Sequence, residues 1–174
     1  MFEALDLPIF GLTLLQHLFA FMTISSILRA DHIFLLPQVT DKAELIRSMV
    51  HLIPNIDPVQ RDSIVKAVLD RESIMSTGVG SGIAIPHAKI EGFPQTVMVA
   101  VKLSTPVEFK SHDGQAVDIA FLVLGSTSNT SSHLKVLSAL SRMLINKEVI
   151  ASIRNSKTTQ EILDTITHYD RHVA

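Results

Sequence analysis

The chain has 174 residues, enough to bury a sizeable core within one domain of ordinary size. Its formal charge is −2, with 15 Lys and Arg against 17 Asp and Glu, which argues against the concentrated basic face of a nucleic-acid binder. It has no cysteine, which excludes a disulfide framework, a thiolate zinc site and a redox thiol, and it fits the cytoplasm. In chain order, Phe10 to Leu28 is apolar enough to raise the question of a membrane span. Gln16 and His17 interrupt it, Thr13, Thr23, Ser25 and Ser26 dilute it, and no Lys or Arg precedes it. Leu12, Leu15, Leu18, Phe19 and Met22 share one helical face, so residues 1–23 read as an apolar helical extension packed on the domain or on a second copy. His32 to Leu36 reads as a strand ended by Pro37. Thr40 or Asp41 caps a helix from Lys42 to Ile53. Asp57-Pro58 starts a second helix to about Glu72, with Val59, Ile64, Val68 and Leu69 turned inward. After a glycine loop come a buried strand at Val97–Leu103, a short one at Val107–Phe109, a turn at Asp113-Gly114 and the most apolar strand, Val117–Leu124. Ser131 or Ser132 then caps a helix to Ile145, and two more follow near 147–153 and 159–169. Strands interleaved with helices, plus one hairpin, predict a single α/β domain over residues 24–174, a mixed sheet flanked by helices.

The loop Ser76-Thr77-Gly78-Val79-Gly80-Ser81-Gly82-Ile83-Ala84-Ile85-Pro86-His87 is the richest stretch chemically. Gly78, Gly80 and Gly82 make it permissive. Pro86 removes a backbone donor and biases Ile85 to an extended form, so His87 is expected where a strand ends and a loop begins. Without cysteine, His87 is the best nucleophile that is neutral near pH 7. The loop lacks the G-x-x-x-x-G-K-[ST] pattern of a nucleotide cradle, and nothing in it has metal-ligand spacing to His87. His133 falls in the first turn of its helix, where unpaired amides favour anions over a cation; the ordinary reading of such a residue is simply structural. His168 and His172 form an H-x-x-x-H pair at the C-terminal end, where basic groups suit a helix end. Asp113 and Asp118 are candidates to orient an imidazole, although a turn aspartate more often serves its turn.

Asp70-Arg71-Glu72 followed by S-T-G-V-G-S-G-I-A-I-P-H-A-K resembles the signature of fructose/mannitol-type EIIA domains of the bacterial phosphotransferase system, a class that includes nitrogen-regulatory EIIA proteins. The resemblance runs from about Ile24 to Tyr169. It implies that His87 accepts a phosphoryl group from a phosphocarrier protein and passes it to an EIIB component or a regulatory target. It also implies that His133, heading an H-L-x-x-L-x-x-L helix, lies beside the acceptor. Ser76, Thr77, Gly78 and Gly80 are then the phosphoryl-binding loop, with no metal and no cofactor required. Met75 stands where the family often has glycine, and Ala88-Lys89 looks more like the sugar-transporting members than the Gly-Arg of many regulatory ones. A rim of Met75, Val79 and Ile90, framed by Lys89 and Ser81, is expected to dock separate partner proteins. The alternative is a regulatory module of the nitrogen branch acting by protein contact. A hydrolase comes third, because no carboxylate lies in the loop to serve as its general acid.

Overall fold

The computed structural model describes residues 23–173, so the expected helix over residues 1–23 lies outside the described residues except for its last position. In chain order the elements are β1 (Ile33–Leu36), α1 (Lys42–His51), α2 (Pro58–Ile74), β2 (Gly78–Gly80), β3 (Ile83–Ala84), β4 (His87–Ile90), β5 (Val97–Val107), β6 (Val117–Ser126), α3 (Thr130–Ile145), α4 (Lys147–Asn155) and α5 (Thr159–Val173). β6 is the axis of the sheet. Its residues are nearly all buried, as an uninterrupted apolar run requires of a strand covered on both faces. β5 pairs with it antiparallel, β3 and β4 pair with it parallel, β1 joins β5 parallel, and β2 joins β3 antiparallel. The result is one domain with a mixed open sheet, the class expected.

Alternation along β5 and β6 sends side chains to two separate cores. Ile119, Phe121 and Val123 meet Val136, Leu140 and Met143 of α3, together with residues of α4 and α5. Ala120, Leu122 and Leu124 meet Leu45, Ile46 and Met49 of α1 and Ile64 and Val68 of α2. The three layers place α2 and α3 on opposite faces, with β4 between them.

Several local expectations are corrected. Val107 ends β5 and does not open a separate strand, and Phe109 is buried beyond the strand. The cap of α3 is Asn129, whose side chain accepts from Ser132 N at 3.1 Å; Ser131 and Ser132 lie inside the helix. Val59 is 80% exposed, because it lies five residues before Ile64 and so about 140° round the helix. The glycine loop contains the β2–β3 hairpin, turning through Ser81 at φ 55° and Gly82 at φ 75°. His87 begins a strand and does not end one. Pro86 has no N–H for the ladder, yet its carbonyl accepts from Val123 N at 2.9 Å, so β3 is interrupted for two residues and resumes on β6 as β4.

Candidate active site

The break before β4 fixes His87. Its Nδ1 lies 2.8 Å from the carbonyl of Ile85, two residues back. A carbonyl only accepts, so Nδ1 carries the proton and Nε2 keeps its lone pair. Nε2 accepts in turn from Arg71 Nε at 3.2 Å, and Arg71 Nη1 donates to the carbonyl of Met75 at 3.0 Å. Burial pushes the His87 pKa below its ordinary value; the Ile85 carbonyl opposes this, the charge of Arg71 adds to it and Glu72 opposes it. The ring is therefore neutral at pH 7, with one nitrogen ready to share electrons.

The last turn of α2 has a second task. Arg71 faces the imidazole, while its neighbour Glu72 is buried. The Glu72 carboxylate accepts from Thr77 N at 3.0 Å, from Thr77 Oγ1 at 2.6 Å and from Lys42 Nζ at 3.0 Å. Ser76 Oγ donates to the Phe109 carbonyl at 2.8 Å and accepts from Gly78 N at 3.2 Å. Both hydroxyls of the S-T pair thus hold the loop's own shape. At Gly78 a Cβ would collide with Ser111, and Gly80, at φ 97°, carries the chain into the hairpin turn. Asp113 caps Ser81 N at 2.8 Å and Gln115 N at 3.1 Å. Asp118 is held bidentate by Arg154, whose Nη2 also donates to the Ser81 carbonyl at 2.5 Å. These two carboxylates therefore brace the hairpin and are not the partners of either imidazole.

His133 lies in the first turn of α3, on the face of the sheet that carries Val123 and its ladder partner His87. Its ring centroid lies 5.9 Å from that of His87, with the planes tilted by 49°. The residue is buried, and among the described residues its Nδ1 has no hydrogen-bond partner. Burial, then the charges of His87 and Lys89, lower its pKa to about 4, so it too is neutral.

The structure thus brings His87 and His133 together and adds Arg71, to which the sequence reading assigned no role. The D-R-E run beside the loop was the available signal; what it lacked was the return of β4 past the end of α2. Met75 and Val79 are exposed, at 67% and 47%, whereas Ile90, the last residue of β4, is buried in the core and leaves the expected rim. His168 and His172 stack at 4.1 Å on α5, and His112 is exposed on its hairpin. Among the described residues no group of three or more His, Cys, Asp or Glu converges to hold a metal ion, and no helix is long and apolar enough to cross a membrane.

The chain is similar to the nitrogen regulatory protein of Klebsiella oxytoca, 38% identical over 105 residues, which cover 60% of this chain and 65% of that protein. The chain thus spans just under two thirds of that relative's length. It is 30% identical over 151 residues to the fructose-specific EIIABC component of Bacillus subtilis, covering 86% of this chain and 24% of that one. The crystal structure of nitrogen regulatory protein IIA-Ntr from Neisseria meningitidis superposes with a TM-score of 0.76 at 28% identity, covering 82% of this chain and 98% of that one. The family model for the phosphoenolpyruvate-dependent sugar phosphotransferase system, EIIA 2, matches residues 26–169, a span that takes in both histidines and every element from β1 to α4, and the chain belongs to that family.

Proposed function

We propose that this chain is a phosphohistidine carrier in which His87 Nε2 accepts a phosphoryl group from a phosphocarrier protein and hands it to a partner. The observation that carries this reading is the tautomer. The Ile85 carbonyl binds the Nδ1 proton and leaves a neutral Nε2 lone pair beside a guanidinium and a second imidazole. Nε2 attacks phosphorus as the bond from phosphorus to the donor's imidazole nitrogen breaks, and that nitrogen keeps the electron pair. Arg71 gives up its bond to Nε2 and, still tethered to the Met75 carbonyl, turns its donors to the equatorial oxygens. His133, neutral and with one N–H, supplies a further donor without adding a proton that would quench the nucleophile. Ser76, Thr77, Gly78 and Gly80 serve phosphoryl binding by holding the loop in this form.

The recipient is an EIIB component or a regulatory target, the exchange takes place in the cytoplasm, and partners dock over exposed Met75 and Val79. Such an encounter is transient and buries on the order of 1,200 Å² or less. The regulatory alternative, in which the domain acts on a target by contact, is favoured by the nitrogen regulatory relative at 38% identity; the transport reading draws on the fructose relative, whose name joins EIIA to B and C components. Incubation with phosphoenolpyruvate, enzyme I and the phosphocarrier protein should add one acid-labile phosphoryl group, and His87→Ala should abolish it. Full labelling of that variant would overturn the assignment.

A further inference from the structure

Gly125 stands in the interior of β6, in the buried run Phe121-Leu122-Val123-Leu124-Gly125-Ser126, where a glycine ordinarily weakens a strand. Backbone conformation does not require it: unlike Gly80, Gly82, Gly92 and Gly114, it has no positive φ. Space does. A Cβ on Gly125 would lie 2.5 Å from His133 Nδ1, 2.9 Å from its Cγ and 3.0 Å from its Cβ. These are the ring and its root, not the free end of a flexible chain, so the side chain has no small adjustment that clears them.

The register explains why this contact matters to the site. His87 pairs across the ladder with Val123, and Gly125 is two residues further along β6, on the same face. Gly125 itself pairs with Lys89, so the ring seated on Gly125 lies on the same face as His87, 5.9 Å from its ring. Among the described residues His133 Nδ1 has no hydrogen-bond partner, so no polar contact from them at that nitrogen fixes the ring. Its seat is a matter of packing, and the missing Cβ is what lets it in.

We infer that Gly125 is a positioning residue, whose bare backbone lets the His133 imidazole settle 5.9 Å from that of His87. The inference rests on the role proposed above for His133. The test compares Gly125→Ala, His133→Ala and the double variant by onward phosphoryl transfer, thermal midpoint and imidazole NMR. Gly125→Ala should shift the His133 ring resonances and slow onward transfer by about 10²-fold, the scale of losing one donor. The double variant should be no slower than His133→Ala, and more stable than Gly125→Ala, because removing the ring removes the clash. Multiplying losses, unshifted His133 resonances, or equal thermal midpoints for Gly125→Ala and the double variant would overturn the inference. Normal transfer by His133→Ala would instead sink the proposed role of that histidine, while the resonances and midpoints would still decide whether Gly125 seats it.

Discussion

At His133 the folded chain holds an imidazole neutral, with its pKa lowered to about 4 by burial and by the charges of His87 and Lys89, against 6.5 for the ordinary side chain. Between those values the unfolded chain binds a proton that the folded one refuses. The stability contributed by the neutral ring is therefore complete above pH 6.5 and is lost as the pH falls toward 4, by at most about 3 kcal/mol. Urea denaturation of the native protein and of His133→Gln at pH 7 and pH 4.5 should show the smaller loss in the variant, which has no proton to bind. Equal losses in both proteins would mean that another group dominates this window. The same neutrality suits the proposed chemistry, since a buried imidazolium here would add a second cation, with its own desolvation cost, to a site that already holds the Arg71 guanidinium against His87.

At the scale of elements, Glu72 ties α1, α2 and the loop into one unit through Lys42, Thr77 N and Thr77 Oγ1. Lys42 also lies 5.5 Å over the Phe109 ring, whose carbonyl receives Ser76. Glu72→Ala strands a partly buried ammonium and two buried donors, and should cost about 3–5 kcal/mol. Glu72→Gln keeps an acceptor for Thr77 and should cost less, a ranking readable from urea midpoints; a midpoint unchanged by Glu72→Ala would refute the tie. The sequence showed this unit only in part. Asp57-Pro58 and the apolar run of β6 announce their elements by local chemistry, and both form as expected. The β2–β3 hairpin was not legible, because alternate glycines leave no side chains to carry a period of two. β4 was hidden by Pro86, which reads locally as a terminus and is in fact a two-residue gap in a strand pinned by β6. His87 and His133 were singled out through their motifs, and the fold brings their rings to 5.9 Å. Arg71 and Gly125 were not singled out, since the contact each makes exists only where distant segments meet: α2 with β4, and α3 with β6.

At the scale of the whole described fold, residues 24–28 close against the C-terminal helices. Ile24 and Leu28 are 1% and 2% exposed and pack in the core shared by α3, α4 and α5. Ser25 N donates to the buried Asp170 carboxylate of α5 at 2.7 Å, which ties the turn at residues 24–26 to the last helix. The folded unit thus includes Ile24, and both histidines, Arg71 and Gly125 lie well inside it. We propose that residues 1–22 are dispensable for phosphoryl transfer. A variant beginning at Thr23 should fold and be phosphorylated on His87, with any change confined to oligomer size by light scattering or to a modest shift in stability. A variant beginning at Arg29 should be much less stable, because Ile24 and Leu28 each contribute about 1.5–3 kcal/mol when fully buried and Asp170 loses its backbone donor. Urea midpoints and phosphoryl uptake measured on both truncations separate the cases. If the longer variant folds but takes up no phosphoryl group, residues 1–22 belong to the transfer machinery.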